Sequence, residues 1–165
     1  MRFALPDVDG RIHEPGDAPA TVVVFTCNHC PYALAWHQRL IAVAGDYRDR
    51  GVKTLHINAN DPERYPRDSV EVMRERVAAG EFDGVPYLFD ADQEVARAYD
   101  AKTTPDVFVL DAELNLRYRG APDADHGDEA QGAQWLRDAL DAVLEGRAPE
   151  RAETKPVGCS IKWRP

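Results

Sequence analysis

The sequence predicts an α/β domain in which a mixed central sheet carries helices on both faces. Three observations predict it. Residues 21–26 form an unbroken β-branched and aromatic run that suits a strand buried on both sides. Apolar residues at Ala33, Trp36, Leu40, Val43 and Tyr47 then recur at helical spacing, and a second strand-like run at 52–58 follows, as in a parallel strand–helix–strand unit. Further on, apolar runs at 107–110 and 116–119 flank a tight turn at 111–115 and so should pair antiparallel, which makes the sheet mixed.

Taken in order, residues 3–12 read as a short hairpin turned at Asp9-Gly10, and residues 16–20 as loop. Pro31 is tolerated at the first turn of the helix that follows the first long strand, and Gly51 closes that segment. Asn60-Asp61-Pro62 and Tyr65-Pro66 mark a loop. Ser69 then caps a helix to about residue 79 with Val70, Met73 and Val77 on one face. Residues 87–89 form a short strand, 94–99 a short helix, and Thr104-Pro105 precedes the hairpin. The last helix is expected over about 129–144, with Leu136, Leu140, Val143 and Leu144 inward. With no repeat or low-complexity tract, residues 1–146 read as one domain and 147–165 as a tail packing back on it.

The chain has 165 residues and a formal charge of −9. That charge argues against nucleic acid and anionic membranes as partners, and no apolar run approaches the length of a membrane span. Residues 1–7 lack a basic segment followed by an apolar one, so a cytoplasmic location is expected. Three cysteines are too few for a disulfide framework, and in a reducing compartment they point to catalysis or metal binding. A zinc site built from Cys27, Cys30, Cys159 and a histidine lacks the second closely spaced pair such sites normally have. The expectation is therefore no metal and no organic cofactor.

Cys27-Asn28-His29-Cys30 lies where the first long strand ends and a helix begins. A helix N-terminus favours a thiolate, so Cys27 is expected at the first helical position with Cys30 one turn inside. Two cysteines at this spacing form a dithiol that can close to a disulfide and reopen. Ligands and reactive groups in such sheets gather at the carboxyl ends of parallel strands, where Cys27 falls.

Cys-x-x-Cys after the first long strand and Thr-Pro before a hairpin together resemble the thioredoxin superfamily. More narrowly, residues 25–32 (FTCNHCPY), 104–108 (TPDVF) and 158–163 (GCSIKW) are similar to peroxiredoxin-like, AhpC/TSA or redoxin-type bacterial proteins. The resemblance spans nearly the whole chain. It implies a thioredoxin-like fold, Cys27 as the attacking, partly exposed thiol, and Cys30 as the more buried resolving one. It also implies that Pro105, in preference to Pro86, is the cis proline facing the dithiol, with Thr104 offering its backbone to a substrate. Two departures accompany it. Thr21 stands where thioredoxins carry a buried acid, and Ala20 and Val24 replace the proline and hydroxyl residue of the peroxidatic pattern.

His29 is either an exposed polar residue or a positive neighbour that stabilises the Cys27 thiolate. The second reading places the couple above thioredoxin's potential of about −270 mV, toward the oxidising end near about −120 mV. Cys159 is either a free tail thiol or a third redox cysteine, because Ile161 and Trp163 beside it favour a groove over water. His13, His37, His56 and His126 read as surface or strand decoration. Asp7, Asp9, Asp61, Asp68 and Asp106 read as turn and cap residues, and 123–129 as a solvated acidic loop.

The leading expectation is a thiol–disulfide oxidoreductase acting in cell redox homeostasis, with protein or small-molecule thiols and disulfides and an unidentified electron donor as partners. An antioxidant thiol peroxidase and a non-catalytic zinc-binding domain are the alternatives.

Overall fold

A computed structural model describes all 165 residues. The elements are β1 (Leu5–Pro6), β2 (Ile12–His13), β3 (Ala20–Thr26), α1 (Pro31–Arg48), β4 (Lys53–Asn58), α2 (Val70–Ala78), β5 (Tyr87–Phe89) and α3 (Glu94–Ala98). There follow β6 (Thr103–Thr104), β7 (Asp106–Asp111), β8 (Leu116–Gly120), α4 (Gln134–Leu144) and β9 (Cys159–Ser160). The main sheet has the order β5-β4-β3-β7-β8. β3, β4 and β5 run parallel, while β7 lies antiparallel to β3 and to β8. No helix is long and apolar enough to cross a membrane.

β3 is buried along its whole length because alternate residues serve opposite faces. Val22 and Val24 join Val107, Val109 and Tyr118 under Trp36, Leu40 and Val43 of α1 and Leu136 and Leu140 of α4. Val23 and Phe25 join Leu55, Ile57 and Phe108 on the other face, closed by Leu5, Tyr99 beside α3, and Ile161 of the C-terminal segment. A third cluster packs Met73 of α2 against Tyr87 of β5 and Ala44 of α1. Ser69 caps α2 as expected, its hydroxyl accepting from the Val72 N–H at 3.2 Å.

Four expectations need correction. First, α1 begins at Pro31, so Cys30 is its N-cap and Cys27 stands three residues before that cap. Proline disfavours helical geometry in the residue before it, and Cys30 is accordingly extended at ψ 125°. Second, α4 begins at Gln134, not near 129, because Ala133 adopts a left-handed φ of 59° and donates its N–H to Asp123 at 3.0 Å.

Third, the acidic loop is solvated only in part. Asp123 is 1% exposed and accepts from Trp36 Nε1 at 2.9 Å and from Arg39, which also holds the carbonyls of Asp125, His126 and Asp128. Likewise His37 and His56 are buried, not decorative.

Candidate active site

Strand β3 delivers Cys27 to the carboxyl edge of the parallel strands, and the extended Asn28–Cys30 turn returns Cys30 to the start of α1. The Cys30 N–H points at Cys27 Sγ, 3.4 Å away. Both thiols face Thr104. Its hydroxyl lies 3.4 Å from Cys27 Sγ, and its carbonyl oxygen lies 3.2 Å from Cys30 Sγ, which donates to it when protonated. The Thr104–Pro105 peptide bond is cis. Cys27, Cys30, His29, Thr104 and Pro105 thus share one place in the fold.

Cys27 is not partly exposed. It is 1% accessible and Cys30 0%, whereas Cys159 is half-buried and the most open of the three. Two structures cover the pair. The first is a buried polar network that gave no signal beyond ordinary loop and cap residues. Asp68, expected as a cap residue, is completely buried in it. Asp68 Oδ1 accepts from the Asn28 N–H at 2.7 Å, and Oδ2 accepts from Asn60 Nδ2 at 2.9 Å and lies 2.5 Å from His29 Nδ1. Arg76 Nη1 donates to the Cys27 carbonyl at 3.2 Å and to Asn28 Oδ1 at 3.0 Å, where the Tyr87 hydroxyl also donates at 2.8 Å. His29 stacks on Tyr65 with its ring plane within 3°. The imidazole therefore faces a carboxylate, and its expected positive field at Cys27 is opposed by Asp68.

The second cover is the C-terminal segment. β9 pairs antiparallel with β6, placing Cys159 opposite Thr104 and Ser160 opposite Thr103. A Cβ at Gly158 would overlap the Thr104 carbonyl, so only glycine lets the two backbones approach this closely. Beyond β9, Ile161 is buried, and Lys162 donates its N–H to Asn60 Oδ1 at 2.8 Å, which joins the segment to the Asp68 network. Gln93 donates to the Lys162 carbonyl at 2.9 Å and accepts from the Arg164 N–H at 3.0 Å.

These contacts set the acidity of the thiols. Cys30 is lowered to about 4 by the hydrogen bond from Cys27, against the cost of its burial, with further hydrogen bonds from Cys159, the Ala33 N–H and Thr104. Cys27 is raised, by the hydrogen bond it gives Cys30, by burial and by the Asp68 charge, with Thr104 and the His29 N–H opposing. Cys159 is raised to about 11 by burial and by its hydrogen bond to Cys30, with Lys162 opposing. The two thiols of the pair thus share their acidity, one favouring the charged form only while the other keeps its proton.

Beside Thr104, Asp106 is fully buried with Oδ2 accepting from the Lys102 N–H at 2.9 Å and Oδ1 unpaired. Burial raises it to about 6. As metal donors, Cys27, His29 and Asp68 offer atoms within 4.8 Å of one another, a different set from the one the sequence suggested. The hydrogen bonds from Asn28 and Asn60 already engage both Asp68 oxygens, so a bound cation would have to compete with this network.

A family model described as the AhpC/TSA family matches residues 1–119. The chain is similar to an uncharacterized conserved protein from Geobacillus kaustophilus, at 42% identity and a TM-score of 0.92 over 100% of this chain and 90% of that one. A hypothetical protein from Sinorhizobium meliloti gives 39% identity and a TM-score of 0.90 over 99% and 92%. A putative thiol:disulfide interchange protein DsbE from Chlorobium tepidum shares the fold at 18% identity, with a TM-score of 0.68 over 87% of this chain and 94% of that one. No curated protein matches the sequence.

Proposed function

The chain belongs to the AhpC/TSA family of thioredoxin-like redox proteins, and from that premise we propose that it is a thiol–disulfide oxidoreductase working through Cys27 and Cys30. The observation that carries this reading is the buried pair of thiols, Cys27 and Cys30, both facing Thr104, with the Cys30 N–H directed at Cys27 Sγ. Closing the disulfide removes two electrons and two protons from the pair, and reopening it returns them. No bound cofactor is required. The Thr104 hydroxyl and the Cys30 N–H beside Cys27 Sγ favour a thiolate within the pair, and a couple whose reduced form is stabilised is an oxidant. The substrates proposed are protein or small-molecule thiols in the cytoplasm, with reoxidation by a small-molecule disulfide.

Redox titration against glutathione is expected to place the Cys27–Cys30 couple above thioredoxin's value of about −270 mV. A potential at or below that value overturns the oxidising assignment. Loss of exchange with a dithiol peptide in Cys30→Ala is the matching functional result.

A thiol peroxidase is the second reading, favoured by the Thr104 hydroxyl at 3.4 Å from Cys27 Sγ, where it could hydrogen-bond a peroxide oxygen. The raised Cys27 thiol opposes it, because the thiolate is the nucleophile. Stopped-flow mixing with hydrogen peroxide separates the two, since a rate near that of an ordinary free thiol rejects the peroxidase.

A further inference from the structure

The dithiol is closed to a protein substrate from both sides, yet the chain places a third thiol between it and solvent. Cys27 and Cys30 are 1% and 0% exposed, while Cys159 is half-buried. β9 fills the backbone edge of β6, with Cys159 directly opposite Thr104. Cys159 packs against the buried cluster formed by Cys27, Cys30 and Ala33, and the Thr104 carbonyl opposite it lies 3.2 Å from Cys30 Sγ. The same segment is fixed by Gly158 against Thr104, by Ile161 in the core and by Gln93 on Lys162 and Arg164.

We infer that Cys159 is a catalytic cysteine: the thiol at which substrate dithiols are oxidised, with Cys30 the hub that pairs alternately with Cys27 and Cys159. The inference rests on the dithiol reading above. In the first step the Cys159 thiolate attacks Cys30 Sγ of the Cys27–Cys30 disulfide. The Cys30–Cys159 bond forms, Cys27 leaves as a thiolate, and it takes up the proton that Cys159 gave up. No outside oxidant enters, because this step is an isomerisation.

Next, a substrate thiolate attacks Cys159 Sγ and expels Cys30 as a thiolate. The second thiol of the substrate, as its thiolate, then attacks the substrate sulfur of the mixed disulfide and releases Cys159. Two electrons have passed from substrate to protein. The substrate's two protons account for the protonation of the cysteines that end as thiols. A small-molecule disulfide, reduced to two thiols, restores the Cys27–Cys30 bond.

The order of leaving groups fits this route. An exchange goes faster when the departing thiol has the lower pKa. Cys30 is lowered to about 4, so attack on the accessible Cys159 sulfur expels the best leaving group in the site. In the oxidised protein Cys30 carries no charge, which removes one cause of the raised Cys159 thiol and readies it to attack.

The test is disulfide mapping combined with kinetics on the full chain. Under glutathione disulfide followed by acid quench, Cys27→Ala is expected to form a Cys30–Cys159 disulfide, and Cys30→Ala to form no Cys27–Cys159 disulfide. Oxidation of a dithiol peptide by the Cys159→Ala protein is expected to slow at least about tenfold.

Wild-type exchange with Cys159→Ala equally fast overturns the inference and leaves the dithiol reading standing. No exchange by the wild type overturns the dithiol reading, and this inference with it. Should Cys159→Ala fail to fold, mapping of Cys27→Ala still decides, because absence of the Cys30–Cys159 bond overturns the proposal.

Discussion

The two covers of the dithiol are made of different materials. On the Asp68 side the cover is buried charge and amide: Asp68, Asn28, Arg76, Tyr87 and Asn60, joined by side-chain hydrogen bonds of 2.7 to 3.2 Å. On the Cys159 side it is backbone pairing and a thiol, with Thr104 opposite Cys159 and Gly158 pressed against the Thr104 carbonyl. Buried ionic networks are costly to break because each loss strands another group. A two-residue strand is held by few bonds and can open locally at much lower cost. The first cover therefore fixes the shape of the Cys27–Cys30 turn, and the second governs access to it. Asn60 couples them, holding Asp68 with its amide nitrogen and the Lys162 N–H with its oxygen.

The largest expected effect breaks the rigid side. Asp68→Ala strands the Asn28 N–H, the Asn60 amide and His29 together, and leaving these buried donors without their carboxylate costs about 3–5 kcal/mol in all. His29 keeps some contact with water, so the lower end of that range is expected in urea denaturation. The variant should also lower the Cys27 thiol, since the Asp68 charge helps to raise it. A loss below about 1 kcal/mol would show that the network is no stiffer than an ordinary surface ion pair.

Next in size is a stabilisation on the other side. The folded Asp106 carboxyl keeps its proton to about pH 6, while an ordinary aspartate loses it near 3.8. Between those values the folded state binds more protons than the unfolded one, so stability falls as pH rises through the window. The difference is worth up to about 3 kcal/mol at pH 8. Asp106→Asn can still accept the Lys102 N–H, and it removes the buried charge. It is expected to raise the denaturation midpoint at pH 8 and flatten the profile between pH 4 and 6. A variant less stable than wild type at pH 8 would mean that the charge is satisfied in the folded state.

The contrast also explains which parts of the molecule were legible. The sheet was, because its strands and α1 repeat apolar residues with periods that no other structure satisfies, and Trp36, Leu40 and Val43 all reached the core. The Cys-x-x-Cys and Thr-Pro motifs were legible because each constrains a few consecutive residues. The rigid cover was not. Asp68 sits just before the capping Ser69 in a Pro-containing turn, and nothing local distinguishes a capping aspartate from one buried against residues forty positions away. Arg76 is equally silent, since an arginine in the last turn of α2 has an ordinary explanation at the helix dipole. The start of α4 was missed for the same reason: Arg39 and Trp36 of α1 draw the acidic loop inward from across the fold. Ile161 and Trp163 did betray the mobile-looking tail as something with a groove to fill, because their burial preference is a property of the residues themselves.

The smallest effect tests the hinge between the covers. Gln93 adopts a left-handed φ of 64°, and its side chain reaches Lys162 and Arg164 without touching a cysteine. Gln93→Asn keeps a residue that tolerates this backbone but shortens the arm by one methylene, so the two bonds to the tail are lost together with the one that Nε2 gives the Ala59 carbonyl. At about 0.5–1.5 kcal/mol each, the two tail bonds should make opening of the tail easier by a factor of roughly thirty. Thiol labelling of reduced protein reads this directly, because Cys27 and Cys30 react only when the segment lifts, whereas Cys159 is half-exposed beforehand. Faster labelling of all three cysteines together would mean that the Asp68 side opens as well, and the two covers would then be a single cooperative unit. Faster labelling of the dithiol alone would establish the tail as a separately opening lid over a fixed turn.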